Sequence, residues 1–128
     1  MKFQWVLIAG CLLVVGCAES QPDRAKLRGK VTFEGKPVVY GVMNFGPDIQ
    51  KGNRGAFGTA EIYDGEYETS PDFGPTPGPM IVSIQVHGSK PPDNIMRVLI
   101  PRYAVDIPAG TSTWDFHLTA KDVGRIDQ

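Results

Sequence analysis

The sequence predicts an all-β sandwich in a single domain. Apolar residues recur with a period of two from Leu27 onward, and no stretch after residue 26 holds a helical period. Glycine and proline punctuate this alternation, 15 Gly and 11 Pro in 128 residues, at intervals that leave room only for short strands. About seven such strands, each with one apolar face, bury those faces most simply as two packed antiparallel sheets.

Leu27, Gly29, Val31 and Phe33 share one face of the first strand, with Arg28, Lys30, Thr32 and Glu34 on the other, and Glu34-Gly35-Lys36-Pro37 turns the chain. Met43 and Phe45 then alternate with Val42 and Asn44. Gly46-Pro47-Asp48 ends that strand, and the polar stretch 48–55 reads as a loop. A third strand carries Gly58, Ala60 and Ile62 on its core face and Phe57, Thr59, Glu61 and Tyr63 on its outer face. Asp64-Gly65 is a two-residue hairpin signal, because both central positions of a type I′ turn need positive φ. Tyr67 and Thr69 continue inward on the return strand.

Residues 70–79 are too proline-rich for a strand interior and read as an extended crossover. Met80, Val82, Ile84 and Val86 alternate with Ile81, Ser83, Gln85 and His87 in the next strand. Beyond the loop 88–94 come a short apolar run, 95–100, and a separate brief strand near Val105 and Ile107. Pro108-Ala109-Gly110 turns the chain once more. The last strand points Trp114, Phe116 and Leu118 into the core, with Phe33 and Phe45 as neighbours, and Thr113, Asp115 and His117 outward.

Ahead of the domain, Lys2 precedes an uncharged apolar run from Trp5 to Val15. This is the layout of a secretory signal, too short to span a bilayer. Val14-Val15-Gly16-Cys17 resembles the lipobox of bacterial lipoproteins, in which a diacylglycerol is attached to the cysteine sulfur and the leader is cut just before it. Ile8-Ala9-Gly10-Cys11 also fits on its four residues, but cutting there leaves too short an apolar run ahead and an apolar stub, residues 12–15, behind. Cys17 is followed by Ala18-Glu19-Ser20-Gln21-Pro22-Asp23, a polar tether.

The expected organisation is a signal peptide over 1–16, a lipidated tether over 17–25, the sandwich over 26–120 and a flexible tail over 121–128. The protein then sits on the membrane of the cell envelope through acyl chains on Cys17. Ala18 stands where some lipoproteins of this kind carry an inner-membrane retention aspartate, which points to the outer membrane, with the domain facing the periplasm or the exterior.

Cleavage before Cys17 leaves one cysteine, so the mature domain holds no internal disulfide. Losing Lys2 from the 13 basic residues leaves 12 against 14 acidic ones, a net charge of −2. That balance lacks the basic face a nucleic-acid partner requires.

The order of the pieces carries a family resemblance. "LRGKVTFEGKPV" followed by "GVMNFGP" resembles the opening of the carboxypeptidase-regulatory-like, or transthyretin-like, β-sandwich domains, and more narrowly of small bacterial envelope lipoproteins with one such domain. "AEIYDGEY", "GPTPGPMIVSI", "IPRY" and "VDIPAGTSTWDFHL" match that subgroup's running pattern, over about residues 26 to 120. The chain departs from it in the short interval between Tyr103 and Val105 and in Pro79, where the pattern often has lysine. The resemblance implies an immunoglobulin-like or transthyretin-like sandwich in the envelope and no particular reaction. The one enzyme class of similar fold, the hydroxyisourate hydrolases, needs an early histidine motif and a C-terminal Tyr-Arg-Gly-Ser, neither of which is present.

No catalytic, cofactor or metal site is expected. His87 and His117 are the only histidines, both at outward strand positions, and neither has a ligand partner at metal-motif spacing. Asp115 shares the face of His117 as a surface pair. The carboxylates Glu34, Glu61, Asp64, Glu66 and Glu68 fall in turns or on outer faces. Nucleophile-elbow, zincin and phosphate-loop motifs are absent.

Phe57 and Tyr63 remain as the candidate binding face. Either a neighbouring loop covers them, or they form an exposed platform for a sugar ring or a protein partner. The expected function is that of a non-catalytic structural or protein-interaction module whose partner is an envelope protein, with carbohydrate binding as the alternative.

Overall fold

The computed structural model describes residues 24–93 and 95–124. Over these residues the chain is all-β, without an α-helix. The strands are β1 (Arg28–Phe33), β2 (Lys36–Pro37), β3 (Tyr40–Pro47), β4 (Gly58–Tyr63), β5 (Glu66–Glu68), β6 (Gly78–His87), β7 (Met96–Ile107) and β8 (Phe116–Leu118). They form one hydrogen-bonded path, β2-β1-β5-β4-β3-β6-β7, with every neighbouring pair antiparallel and β8 added parallel to β1.

Two separate packed sheets were expected, and a single open sheet curled around its core is found instead. The bend is made within β1. Its residues 28–30 pair with β5, whereas residues 31–33 pair with β2 and β8. A strand that changes partners midway turns a sheet corner without breaking the ladder.

The curl brings β8 face to face with the middle of the sheet. The Phe116 ring lies 6.3 Å from Phe45, 5.6 Å from Tyr67 and 5.7 Å from Tyr103, edge-on to all three. Around it the concave face buries Leu27, Val31, Met43, Ile62, Val82, Ile84, Ile100, Ile107 and Leu118. Ile100 and Ile107 aside, which were given no face, their parities are those of the period-two reading. Phe33 and Trp114 pack against this core while partly exposed.

The two tight hairpins follow from their turn residues. Glu34 and Gly35 have φ of 50° and 77°, and Asp64 and Gly65 have 50° and 80°, the left-handed pairs that a type I′ turn demands.

The sequence reading fails in the seventh strand. A short run and a separate brief strand were expected, but Met96–Ile107 is one strand of 12 residues. Pro101 lies between the two expected pieces. It is tolerated because β7 ends the strand order, so a missing N–H on the outer side costs nothing. On the inner side Val82 pairs with Tyr103 and Ile84 with Ile100, so Pro101 and Arg102 together oppose Ser83 in a bulge.

At the C-terminal end, residues 120–122 close a 3-10 turn, with Thr119 and Asp122 capping each other. Gly124 N–H then donates to the Leu99 carbonyl at 3.2 Å. Residues 125–128 lie outside the described residues.

One buried polar contact ties the two sides of the core together. The Tyr67 hydroxyl donates to the Trp114 carbonyl at 2.6 Å. Burial first, and the charge of Asp115 second, hold the Tyr67 phenol far above its usual range. Tyr67→Phe is expected to lose about 1–3 kcal/mol at neutral pH, because the carbonyl is left without its donor. In the unfolded chain this phenol ionises near pH 10, while the folded state keeps the proton. Its contribution is therefore complete below pH 10 and declines as pH rises above it, by about 1.4 kcal/mol per pH unit. Denaturation at stepped alkaline pH should show a shallower decline in the Tyr67→Phe variant, and parallel profiles would disprove the assignment.

Candidate functional site

Antiparallel register builds the outer face of the sheet row by row. Glu66 opposes Tyr63, Tyr63 opposes Tyr40, and Tyr40 opposes His87. Opposed side chains on one face lie within contact range. The Tyr63 and His87 rings each stand edge-on to Tyr40, with centroids 5.2 Å apart in both pairs. In the next row Glu61 opposes Val42, which opposes Gln85.

Tyr40 is 5% exposed although it belongs to the convex side. The loop after β6 folds back over this end, and Lys90 Nζ reaches the Asp64 carboxylate at 2.8 Å in the β4–β5 turn. His87, read from the sequence as solvent-facing, is likewise buried. Its parity was right. What the alternation could not register is that the outer face is itself covered at this end, by an aromatic neighbour and a returning loop. Tyr40 OH donates to Glu61 at a long 3.4 Å, and burial followed by the Glu61 charge raises its phenol.

His117 is exposed, with Nδ1 3.1 Å from Thr32 Oγ1. Asp115 does not pair with it, because its carboxylate accepts the Lys30 N–H at 2.8 Å. Both outward groups of the last strand are thus fastened to β1. Among the described residues no three of His, Cys, Asp and Glu gather as a metal site would require.

Phe57 and Tyr63 are exposed, at 70% and 44%, so no loop covers either. They do not share one platform. Six residues of strand separate them by about 20 Å, at ~3.4 Å per residue, and each lines a different depression.

Tyr63 lines a groove of about 680 Å³ over β4 and β5, with Glu61, Glu66, Glu68, Thr59 and Phe73. Phe73, 59% exposed, stands at its far end, held there because Thr59 N–H donates to the Phe73 carbonyl at 2.9 Å. Glu66 and Glu68 form no side-chain hydrogen bond or ion pair among the described residues. Phe57 lines a smaller depression of about 420 Å³ with Gly46, Ile81, Ser83 and Arg102.

Phe73 and Tyr40 escaped the sequence reading. One lies in a proline-rich crossover without periodicity, and the other stands at the boundary of a turn and a strand. A lone aromatic among prolines was the available signal for Phe73.

Cys17 and the leader lie outside the described residues. No family model matches the chain, and neither a curated protein nor a solved structure does.

Proposed function

We propose that the protein is a lipid-anchored, non-catalytic module of the bacterial cell envelope that recruits a protein partner through its convex β4–β5 groove. The observation that carries this reading is the groove. Exposed aromatics at its two ends, Tyr63 and Phe73, flank three carboxylates, and Glu66 and Glu68 have no side-chain partner of their own among the described residues. Aromatic side chains are favoured anchors, and the carboxylates suit a partner segment rich in Lys or Arg. The anchor rests on the lipobox at Cys17 and on the length of the apolar run before it. Acyl chains contribute about 0.8 kcal/mol per buried methylene, so two or three hold a protein durably at a bilayer.

A photo-crosslinking residue at position 63, expressed in the native envelope, should capture a protein that the same residue at position 117 does not. Glu66→Gln with Glu68→Gln should weaken the capture. Equal labelling at both positions would defeat the groove as the partner site. Tyr63→Ser should abolish capture while costing about 1–2 kcal/mol, because its half-exposed ring also stands edge-on to Tyr40, well short of the loss for a core aromatic. A carbohydrate is the second reading, favoured by the same pairing of aromatic rings with carboxylates that can accept sugar hydroxyls. It requires a glycan-array signal that Tyr63→Ser removes.

The anchor has its own test. Intact-mass analysis of the membrane fraction should give a chain starting at Cys17 with added acyl mass. A chain starting at Cys11 or Leu12 would overturn the assignment.

A further inference from the structure

The chain joins the domain at a clamped point. The Arg24 guanidinium donates to the Phe57 and Gly74 carbonyls, both at 3.2 Å, and Ala25 N–H donates to the Pro75 carbonyl at 2.8 Å. Gly74 is pressed so close that an added Cβ would overlap the Ala25 carbonyl oxygen. No slack is left on the domain side of residue 24.

This clamp lies at one end of the curled sheet. The end is made by the β3–β4 loop, the crossover before β6 and the start of β1. Three of the large apolar side chains that the fold leaves in solvent sit there: Ile49 at 59%, Phe57 at 70% and Phe73 at 59%. They are held out by fixed backbone. Asn53, itself 8% exposed, donates to the Pro79 carbonyl at 2.8 Å and accepts from Gly55 N–H, and Ala56 N–H donates to Thr76 Oγ1 at 2.7 Å. Arg24, Lys26, Lys51 and Arg54 stand in the same segments, against Asp48 and Asp72, with Asp106 at the adjoining end of β7.

Chain length decides which end can meet a membrane. From Cys17 to Arg24 there are seven peptide links, which reach at most about 25 Å fully extended. The ten residues of β6 make nine steps, which carry the chain about 30 Å from this end to the opposite one, at ~3.3 Å per step. With the opposite end on the bilayer, Arg24 would stand out of reach of an acyl-anchored Cys17. With the tether end down, the reach is met with slack to spare, and the exposed apolar residues lie against the surface.

We propose that Ile49, Phe57 and Phe73 form a membrane-docking surface. They enter the interfacial layer of the same bilayer that holds the Cys17 acyl chains, with Arg24, Lys51 and Arg54 against lipid phosphates. This rests on the anchor proposed above and fixes the pose of the domain on it. Phe73 stands at the boundary between the docking surface and the partner groove, so the groove opens sideways, parallel to the membrane, and Tyr63 is its distal end. Aromatic side chains with flanking cations are the combination that suits the headgroup boundary.

The test uses the acylated full-length protein in vesicles of phosphatidylethanolamine and phosphatidylglycerol. Its Cys17 sulfur is a thioether, so a single cysteine introduced by Phe57→Cys, Phe73→Cys or Ile95→Cys is the one thiol that takes a nitroxide label. Ile95, 73% exposed in the loop at the opposite end, is the reference. Labels at 57 and 73 are expected to show a several-fold higher ratio of oxygen to aqueous nickel accessibility than the label at 95. Equal ratios at all three positions, with acyl mass present, would overturn the docking while leaving the anchor intact. Labels at 57 and 73 shielded from both reagents would overturn it in favour of a protein contact. A chain without acyl mass would remove anchor and docking together.

Discussion

Replacing Phe116 by alanine is expected to cost about 3–5 kcal/mol, the range for emptying a fully buried aromatic site. Phe116 is 0% exposed and touches three other rings, Phe45, Tyr67 and Tyr103, which belong to three different strands. Those rings sit on a hydrogen-bonded sheet and cannot all move inward, so the cavity persists. Urea denaturation read by Trp114 fluorescence should show the midpoint falling with little change in slope. A loss below about 1 kcal/mol would be the behaviour of a surface position. Phe57→Ala is the matched control, since its ring is 70% exposed and its removal should change stability by less than about 1 kcal/mol.

The second large effect comes from adding an atom. A Cβ on Gly29 would overlap the Trp114 carbonyl oxygen and stand 2.8 Å from Asp115 Oδ1. The obstacle is mostly backbone and cannot rotate away. Gly29→Ala must therefore push residues 114–115 off β1. That breaks the 3.0 Å bond from Trp114 N–H to the Arg28 carbonyl and the 2.8 Å bond from Lys30 N–H to Asp115. The expected loss is about 3 kcal/mol, the upper part of the range for overpacking, seen as a lower thermal midpoint. Gly110→Ala separates crowding from backbone strain, because Gly110 has φ of 85° with nothing within 4 Å of a Cβ. It should cost about 1 kcal/mol. Similar losses at both positions would mean that the Trp114 contact is not what constrains Gly29.

Alternation gave the strand faces correctly because burial here follows the pleat. Met43 and Phe45, Ala60 and Ile62, and Met80 through Val86 are buried at every second residue. Turn chemistry gave the two tight hairpins for an equally local reason. What failed was every feature fixed by distant chain. The unbroken run of β7 through Pro101 depends on its being an edge strand with a bulge. The single curled sheet depends on β1 exchanging one neighbour for another, which no periodicity encodes. His87 and Tyr40 are buried on the side that local pattern assigns to solvent, because a loop and a facing ring cover them. Of the candidate site, Phe57 and Tyr63 were legible as outward aromatics. That they serve different depressions, and that Phe73 joins Tyr63, needed the path of the crossover.

The pairing of β8 with β1 bears on the time course of folding. Val31 is registered against Phe116 and Phe33 against Leu118, as Thr32 is against His117 85 residues later, and Tyr67 reaches the same segment through Trp114. The earliest strand waits for the latest one, so the β1–β8 ladder cannot form until residues 116–118 are free to pair. Closure of so long a loop comes before the contacts that reward it, which places the domain among slow folders, on a scale of roughly milliseconds to seconds. If Cys17 is the acylated N-terminus, as proposed, an exported chain would still be open when Cys17 is already at the bilayer. On that proposal acylation would precede packing, and the protein would complete its fold as a tethered chain, at an effective concentration set by the surface that holds it.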